Sequence, residues 1–252
     1  MRPWATFRRT SGPGPRGENL GAGSRATLEP QTTRGDDPQM THPLWPLYDL
    51  RLRTERLELR LPNEDEIGEL CRVAKAGIHP PDEMPFGVAW STKPSPRFER
   101  EFVQWHWKQR ADWTADAWSF ELAVFLDGRP IGSQALMARQ FGLFKAVHTG
   151  SWLGRGFQGR GLGKEMRGAV LALAFDGLGA EMATTEAFFD NPASSGVSRS
   201  LGYEPNGVGS IAPEGVARPT ERFRLTRAGW LGVPRPMVVI DGLDACRAMF
   251  GA

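Results

Sequence analysis

The chain has 252 residues, 40% apolar and 24% charged, with a formal net charge of +2. That length suits one large domain or two small ones around a substantial core, and the composition is ordinary for a globular protein. A charge so near balance gives no electrostatic case for a nucleic-acid partner. Two cysteines cannot build a disulfide framework, and no apolar run reaches the about 18 residues of a membrane span. The start lacks the apolar core of a secretory signal, so the cytoplasm is the expected location. Nine tryptophans suggest an aromatic-lined cavity as well as core packing.

Residues 1–39 are rich in Gly, Pro, Arg, Ser and Thr and have almost no apolar periodicity. Such a segment cannot bury enough surface to offset the entropy of ordering it. It reads as a disordered extension, with Met40 as an alternative start. Residues 40–230 read as the body of the domain, and 231–252 as a tail packing on it or on a second subunit. From Arg56, the leucines at 57, 59 and 61 alternate with charged residues, the signature of a half-buried strand. Asn63 and Glu66 predict a capping box for a helix burying Ile67, Leu70, Cys71 and Ala74. A Pro-rich connector then runs from His79 to Trp90 and is expected to fold over a pocket.

A second helix is predicted over 96–111, with Phe98, Phe102 and Trp105 on its apolar face. Phe120, Leu122 and Val124 mark a strand, and Asp127-Gly128 is a hairpin signal before a second strand over 130–137. A strand over 146–153 leads into a glycine-rich turn, followed by a helix to Leu178, a strand over 182–188 and a short helix opened by Asn191-Pro192. Two weaker strands over 203–211 and 221–226 close the pattern, an α/β sheet of mixed direction.

The turn carries most of the information. Six glycines lie between Gly150 and Gly163, so successive backbone N–H groups are bared at a helix N-terminus, where an anion can sit. Three phosphate-binding patterns compete. A Walker loop needs a hydroxyl after Gly163-Lys164, and Glu165 stands there instead. Gly154, Gly156 and Gly159 meet the dinucleotide pattern, but a hairpin precedes them and only about 90 residues follow, too few for a doubly wound domain. The third pattern, Gln-x-x-Gly-x-Gly, is met in full by Gln158, Gly161 and Gly163.

The string Gln158-Gly159-Arg160-Gly161-Leu162-Gly163 resembles the coenzyme A pyrophosphate loop of the GNAT acyltransferase superfamily. Gly150-Ser151-Trp152-Leu153 precedes it, Asp190-Asn191-Pro192-Ala193-Ser194-Ser195 lies beyond, and Ser200-Leu201-Gly202-Tyr203 follows. Together these are similar to the RimJ/RimL-type branch, which acetylates protein N-termini and small amines. Within that branch the chain resembles an actinobacterial group described as succinyltransferases. The resemblance covers roughly residues 45–230. It implies a single α/β domain with a mixed central sheet flanked by helices and splayed strands at the coenzyme site. It also implies acetyl-CoA or another acyl-CoA as co-substrate and no metal. Residues 158–164 would bind the pyrophosphate, with Arg160 and Lys164 adding charge. Trp152 and Leu153 would border the pantetheine, and an N–H near Leu153 would polarise the thioester carbonyl. Asn191 and Ser194 would meet the pantetheine arm or the sulfur, although Asn191 is equally suited to capping a helix.

Attack by an amine needs a base to remove its proton. Relatives carry a glutamate on the strand before the loop; the matching residue here is His148, whose ordinary pKa near about 6.5 suits the role. Glu121 and Glu186 on neighbouring strands are rivals. Where relatives place a tyrosine acid this chain has Ser198, and Ser194 takes the sulfur-facing position. The catalytic candidates are therefore His148, Glu186, Ser194 and Ser198. Phe86, Trp90, Trp105, His106 and Gln134 are expected to line the acceptor pocket, for a small-molecule amine, a protein N-terminus or a lysine. Acetyl is the expected acyl group. A succinyl carboxylate would need a buried cation, for which Arg155 and His106 are candidates. A non-catalytic coenzyme A sensor is the alternative of another class, and a homodimer through the tail is a further expectation.

Overall fold

The computed structural model describes residues 42–252; the expectations for residues 1–39 and Met40 lie outside the described residues. Arg51–Arg53 (β1) and Leu57–Arg60 (β2) pair antiparallel, with Leu52 opposite Leu59. Asn63 caps α1 (Glu64–Lys75). Its side-chain oxygen accepts from Glu66 N–H at 2.9 Å, and the Glu66 carboxylate accepts from Asn63 N–H at 2.8 Å, the reciprocal capping box. Cys71 is buried on the apolar face of this helix with Ile67, Leu70 and Ala74.

In α2 (Arg97–Ala111) the buried residues are Phe98, Phe102 and His106. Trp105 was expected on that face and is instead 50% exposed. The buried stripe keeps a strict i, i+4 step, which turns the neighbouring Trp105 outward. β3 (Ala117–Leu126) and β4 (Arg129–Arg139) form the expected hairpin. Both turn residues have positive φ, 50° at Asp127 and 75° at Gly128, the geometry that Asp-Gly favours.

A single helical turn, α3 (Phe141–Phe144), precedes β5 (Ala146–Leu153), and the glycine turn leads into α4 (Leu162–Ala172). The helix expected to run on to Leu178 widens into a π turn over Leu173–Gly177. The carbonyls at its end are taken by arginines, Phe175 O by Arg227 at 2.6 Å and Gly177 O by Arg247. Then come β6 (Met182–Phe188), α5 (Pro192–Ser200), β7 (Glu204–Ile211) and β8 (Arg218–Thr226). The tail adds α6 (Arg227–Leu231), β9 (Val239–Asp241) and α7 (Leu243–Cys246).

The nine strands make one mixed sheet in the order β7-β8-β6-β5-β4-β3-β2-β1-β9, antiparallel throughout the described residues except between β5 and β6. α1 and α2 pack over Ala123 and Phe125 on one face. α4 and the tail pack over Phe120, Leu122, Val124 and Leu136 on the other. β1 and β9 have no counterpart among the predicted strands, being three residues each. They pair with each other, Leu52 opposite Ile240. The tail is further tied in where Trp118 Nε1 donates to Phe250 O at 3.0 Å, above the fully buried Phe250 ring.

Candidate active site

β5 and β6 pair only from Ala146 to His148 against Met182 to Thr184. Thr185 Oγ1 still donates to Thr149 O at 3.0 Å. Beyond it the strands part, leaving residues 150–153 facing a wedge that opens toward the glycine turn and α5. This is the splay that the resemblance implied.

At the wide end, Gln158 anchors the loop: its Nε2 donates to Ile78 O at 2.9 Å and to Leu153 O at 2.8 Å. Gly159 and Gly161 have φ of 72° and 78°. A Cβ on Gly159 would meet nothing within 4 Å, so the left-handed backbone rather than crowding selects glycine there. The N–H groups of residues 160–164 donate to no described group, and Gly161 is the N-cap of α4. Free donors at the positive end of a helix dipole stabilise a diphosphate, so the turn fits coenzyme A.

Glu165 in the first turn of α4 would repel that anion. It is held instead by Arg56 Nε at 2.7 Å and Thr54 Oγ1 at 2.6 Å. Arg56 also donates to Arg160 O at 3.2 Å, making it a third cation beside the exposed Arg160 and Lys164. The sequence showed Arg56 only as the charged residue opening a strand.

On α5, Asn191 Oδ1 accepts from Ser194 N–H at 3.1 Å, the cap that was one of its two readings. Its amide nitrogen donates to no described group and stays available to a ligand. Ser198 is fully buried. Its hydroxyl donates to Ser194 O at 3.0 Å and accepts from Arg167 Nη1 at 2.9 Å.

Glu121, His148 and Trp152 share the α1/α2 face of the sheet, since Glu121 lies opposite Ala135 and Ala135 opposite Gly150, between the other two on β5. His148 Nδ1 lies 3.0 Å from Thr184 Oγ1, whose own hydrogen goes to Val147 O at 3.2 Å. With the threonine hydrogen on Val147 O, Nδ1 carries the proton in that contact and the Nε2 lone pair is free. The ring is open to solvent along one side, but the surrounding protein removes enough water to lower its pKa. Glu186 opposes that effect and Arg167 adds to it. Glu186 itself accepts from Thr220 Oγ1 and from Arg222 Nε at 3.3 Å, which turns its carboxylate toward β8. The Glu121 carboxyl is raised by burial, against a 2.7 Å hydrogen bond from Ser119 Oγ.

Of the expected acceptor pocket, Phe86 and Trp90 stand 5.1 Å apart, and Trp90 lies 5.8 Å from Trp152. Phe102 links Trp152, at 6.3 Å, to His106, at 5.2 Å. These rings form a wall around Trp152, beside the open half of β5. Trp105 is not part of it. Nor is Gln134, which alternation along β4 places on the α4 face, opposite Leu122 and Ser151. Gln134 is fully buried; its Nε2 donates to Ala135 O at 3.0 Å and Gly150 O at 2.9 Å, and its Oε1 has no partner. Burial, with Arg110 nearby, pushes the His106 pKa down to about 4. The ring is uncharged at neutral pH and cannot supply the cation considered for a succinyl carboxylate. Arg155 sits exposed on a 3-10 turn.

A model of the acetyltransferase (GNAT) domain matches residues 56–204. Among solved structures, Mycobacterium smegmatis RimJ in complex with CoA-disulfide superposes with a TM-score of 0.58 at 15% identity, over 80% of this chain and 94% of that one. A GCN5-related N-acetyltransferase from Brucella melitensis gives 0.58 at 21% identity, over 72% and 80%. RimL, a ribosomal L7/L12 alpha-N-protein acetyltransferase in complex with coenzyme A, gives 0.55 at 16% identity, over 69% and 95%. At such identities these structures establish the fold, while the domain match spans more than half of the chain. No helix among the described residues is long and apolar enough to cross a membrane. The chain belongs to the GNAT acetyltransferase family and is an N-acetyltransferase that draws on acyl-CoA.

Proposed function

We propose that the enzyme moves an acyl group, acetyl in the first instance, from acyl-CoA to a primary amine by direct attack in a ternary complex. The observation that carries this reading is His148 beside the closed end of the wedge, with Nε2 unencumbered. The bound thioester supplies an activated carbonyl. Residues 158–164, with Arg160, Lys164 and Arg56, hold the pyrophosphate, and the Asn191 amide and Ser194 meet the pantetheine arm. A backbone N–H near Leu153 polarises the carbonyl. Nε2 of His148 takes the proton from the attacking nitrogen, and the nearby Glu186 charge favours the imidazolium that results.

The aromatic wall of Phe86, Trp90 and Trp152 suits an amine on an apolar or aromatic body. That amine is a small molecule, a protein N-terminus or a lysine; the RimL neighbour, an alpha-N-protein acetyltransferase, supports the peptide class. The test follows free thiol release from acetyl-CoA and succinyl-CoA with a panel of amines. His148→Ala should lower the rate at least about a hundredfold. A loss under about threefold removes the base assignment.

A further inference from the structure

Arg167 is a buried cation without an anion. It sits on the inner side of α4, 4% exposed, and takes part in no ion pair among the described residues. Its Nη1 donates to Ser198 Oγ at 2.9 Å and its Nη2 to Ser151 Oγ at 3.1 Å, while Nε is buried with no partner. Two hydroxyls do not neutralise a guanidinium in a low-dielectric interior, and a lone charge there costs stability. Burial accordingly lowers the Arg167 pKa.

Its neighbours explain where an anion would come from. Ser151 is on β5 and Ser198 on α5, so the guanidinium links one wall of the wedge to the helix at its open end, beyond the last β5–β6 pair. A pantetheine arm entering at the glycine turn runs back along residues 153–150, about 10 Å at strand spacing. It stops where the strands rejoin at Thr149, which puts its sulfur beside Ser151. The other titratable groups near Arg167 are the Tyr203 hydroxyl and His148. Burial raises the Tyr203 pKa and keeps that hydroxyl protonated, so neither brings negative charge. Glu165, on the same helix, is committed to Arg56.

Resting on the ternary-complex reading above, we propose that Arg167 is the group that receives the leaving sulfur, stabilising the coenzyme A thiolate with its guanidinium charge and the uncommitted hydrogen of the Ser151 hydroxyl, while Ser198 holds the guanidinium in place. The amine nitrogen bonds to the carbonyl carbon, and its proton passes to His148 Nε2. The carbon–sulfur bond breaks with its electron pair going to sulfur. The thiolate is held against the guanidinium until it takes a proton from solvent and coenzyme A departs. Arg167 thus does the work that a tyrosine acid would do at position 198, without giving up a proton.

The test is an ultraviolet titration of the thiolate of coenzyme A bound to the wild-type protein. An opposite charge at contact distance should lower the thiol's titration midpoint by at least about one pH unit relative to free coenzyme A. Arg167→Met should return the midpoint to the free value or above, and Arg167→Lys should restore part of the shift. A wild-type midpoint at or above that of free coenzyme A overturns the proposal while leaving the binding site intact. Failure of coenzyme A to bind at all, read by calorimetry, overturns the site reading and the proposal with it. Because the decisive measurement uses the unmodified enzyme, a folding defect in either variant does not blunt it.

Discussion

His148 and Thr184 lie side by side on β5 and β6 at the last pair before the strands part, Nδ1 3.0 Å from Oγ1. With the threonine hydrogen directed to Val147 O, one short-range contact selects the tautomer of a residue whose other nitrogen has no hydrogen-bond partner among the described residues. A hydroxyl of this kind orients a base without touching the substrate.

The pH profile of kcat/KM should show it. The His148 pKa is lowered from the ordinary histidine value of 6.5, and a base works only when unprotonated. The acid limb should therefore lie below pH 6.5, and His148→Gln should abolish it. Thr184→Val should lower kcat with little change in the KM for acyl-CoA. An acid limb above pH 6.5 contradicts the assignment.

Gly161 has φ of 78° and caps α4 beside Arg56. Any side chain there meets a left-handed backbone penalty of roughly 1–2 kcal/mol, and a carboxylate adds repulsion against the diphosphate. Gly161→Glu should abolish acyl-CoA binding in a calorimetric titration while the far-ultraviolet circular dichroism stays unchanged. Retained binding would sink the loop assignment.

Features encoded by neighbours in the chain were legible in advance. The Asn63–Glu66 box, the Asp127-Gly128 turn and the glycine turn each depend on a few adjacent residues whose chemistry has one conformational outcome. Which face a residue takes was less so. Trp105 and His106 are adjacent, and a rotation of one residue exchanges them; Gln134 lies across the sheet from the groove because of strand register. Arg56 and Arg167 acquire meaning only through contacts 109, 31 and 16 positions away, which no local pattern records.

Gly132 shows how tightly the wedge is built. A Cβ added there would stand 2.3 Å from Trp152 O and 2.9 Å from Leu153 Cα, both backbone atoms of the strand that borders the coenzyme site. Because β4 and β5 are paired here and Gly154 N–H donates to Ile131 O at 2.9 Å beside this pair, the strand must move rather than a side chain. Gly132→Ala should cost roughly 1–3 kcal/mol in denaturant unfolding and weaken coenzyme A binding together. A variant with wild-type stability and affinity would show that β5 has slack at this point.

His106 gives the fold a dependence on acidity. It is buried between α2 and the sheet, and its pKa falls from 6.5 to about 4, chiefly by desolvation and then by Arg110, with Glu64 opposing. In the unfolded chain the same ring binds a proton near pH 6.5, so between there and pH 4 the unfolded state holds more protons than the folded one. Stability then rises with pH across that window. Going from neutral pH down to pH 4 should remove up to about 3 kcal/mol through this residue, with no further loss from it below. His106→Leu, of similar size, has nothing to protonate and should flatten the decline between pH 6.5 and 4. Urea unfolding at half-unit steps across the window measures both curves, and parallel slopes for wild type and variant would assign the acid sensitivity to other groups.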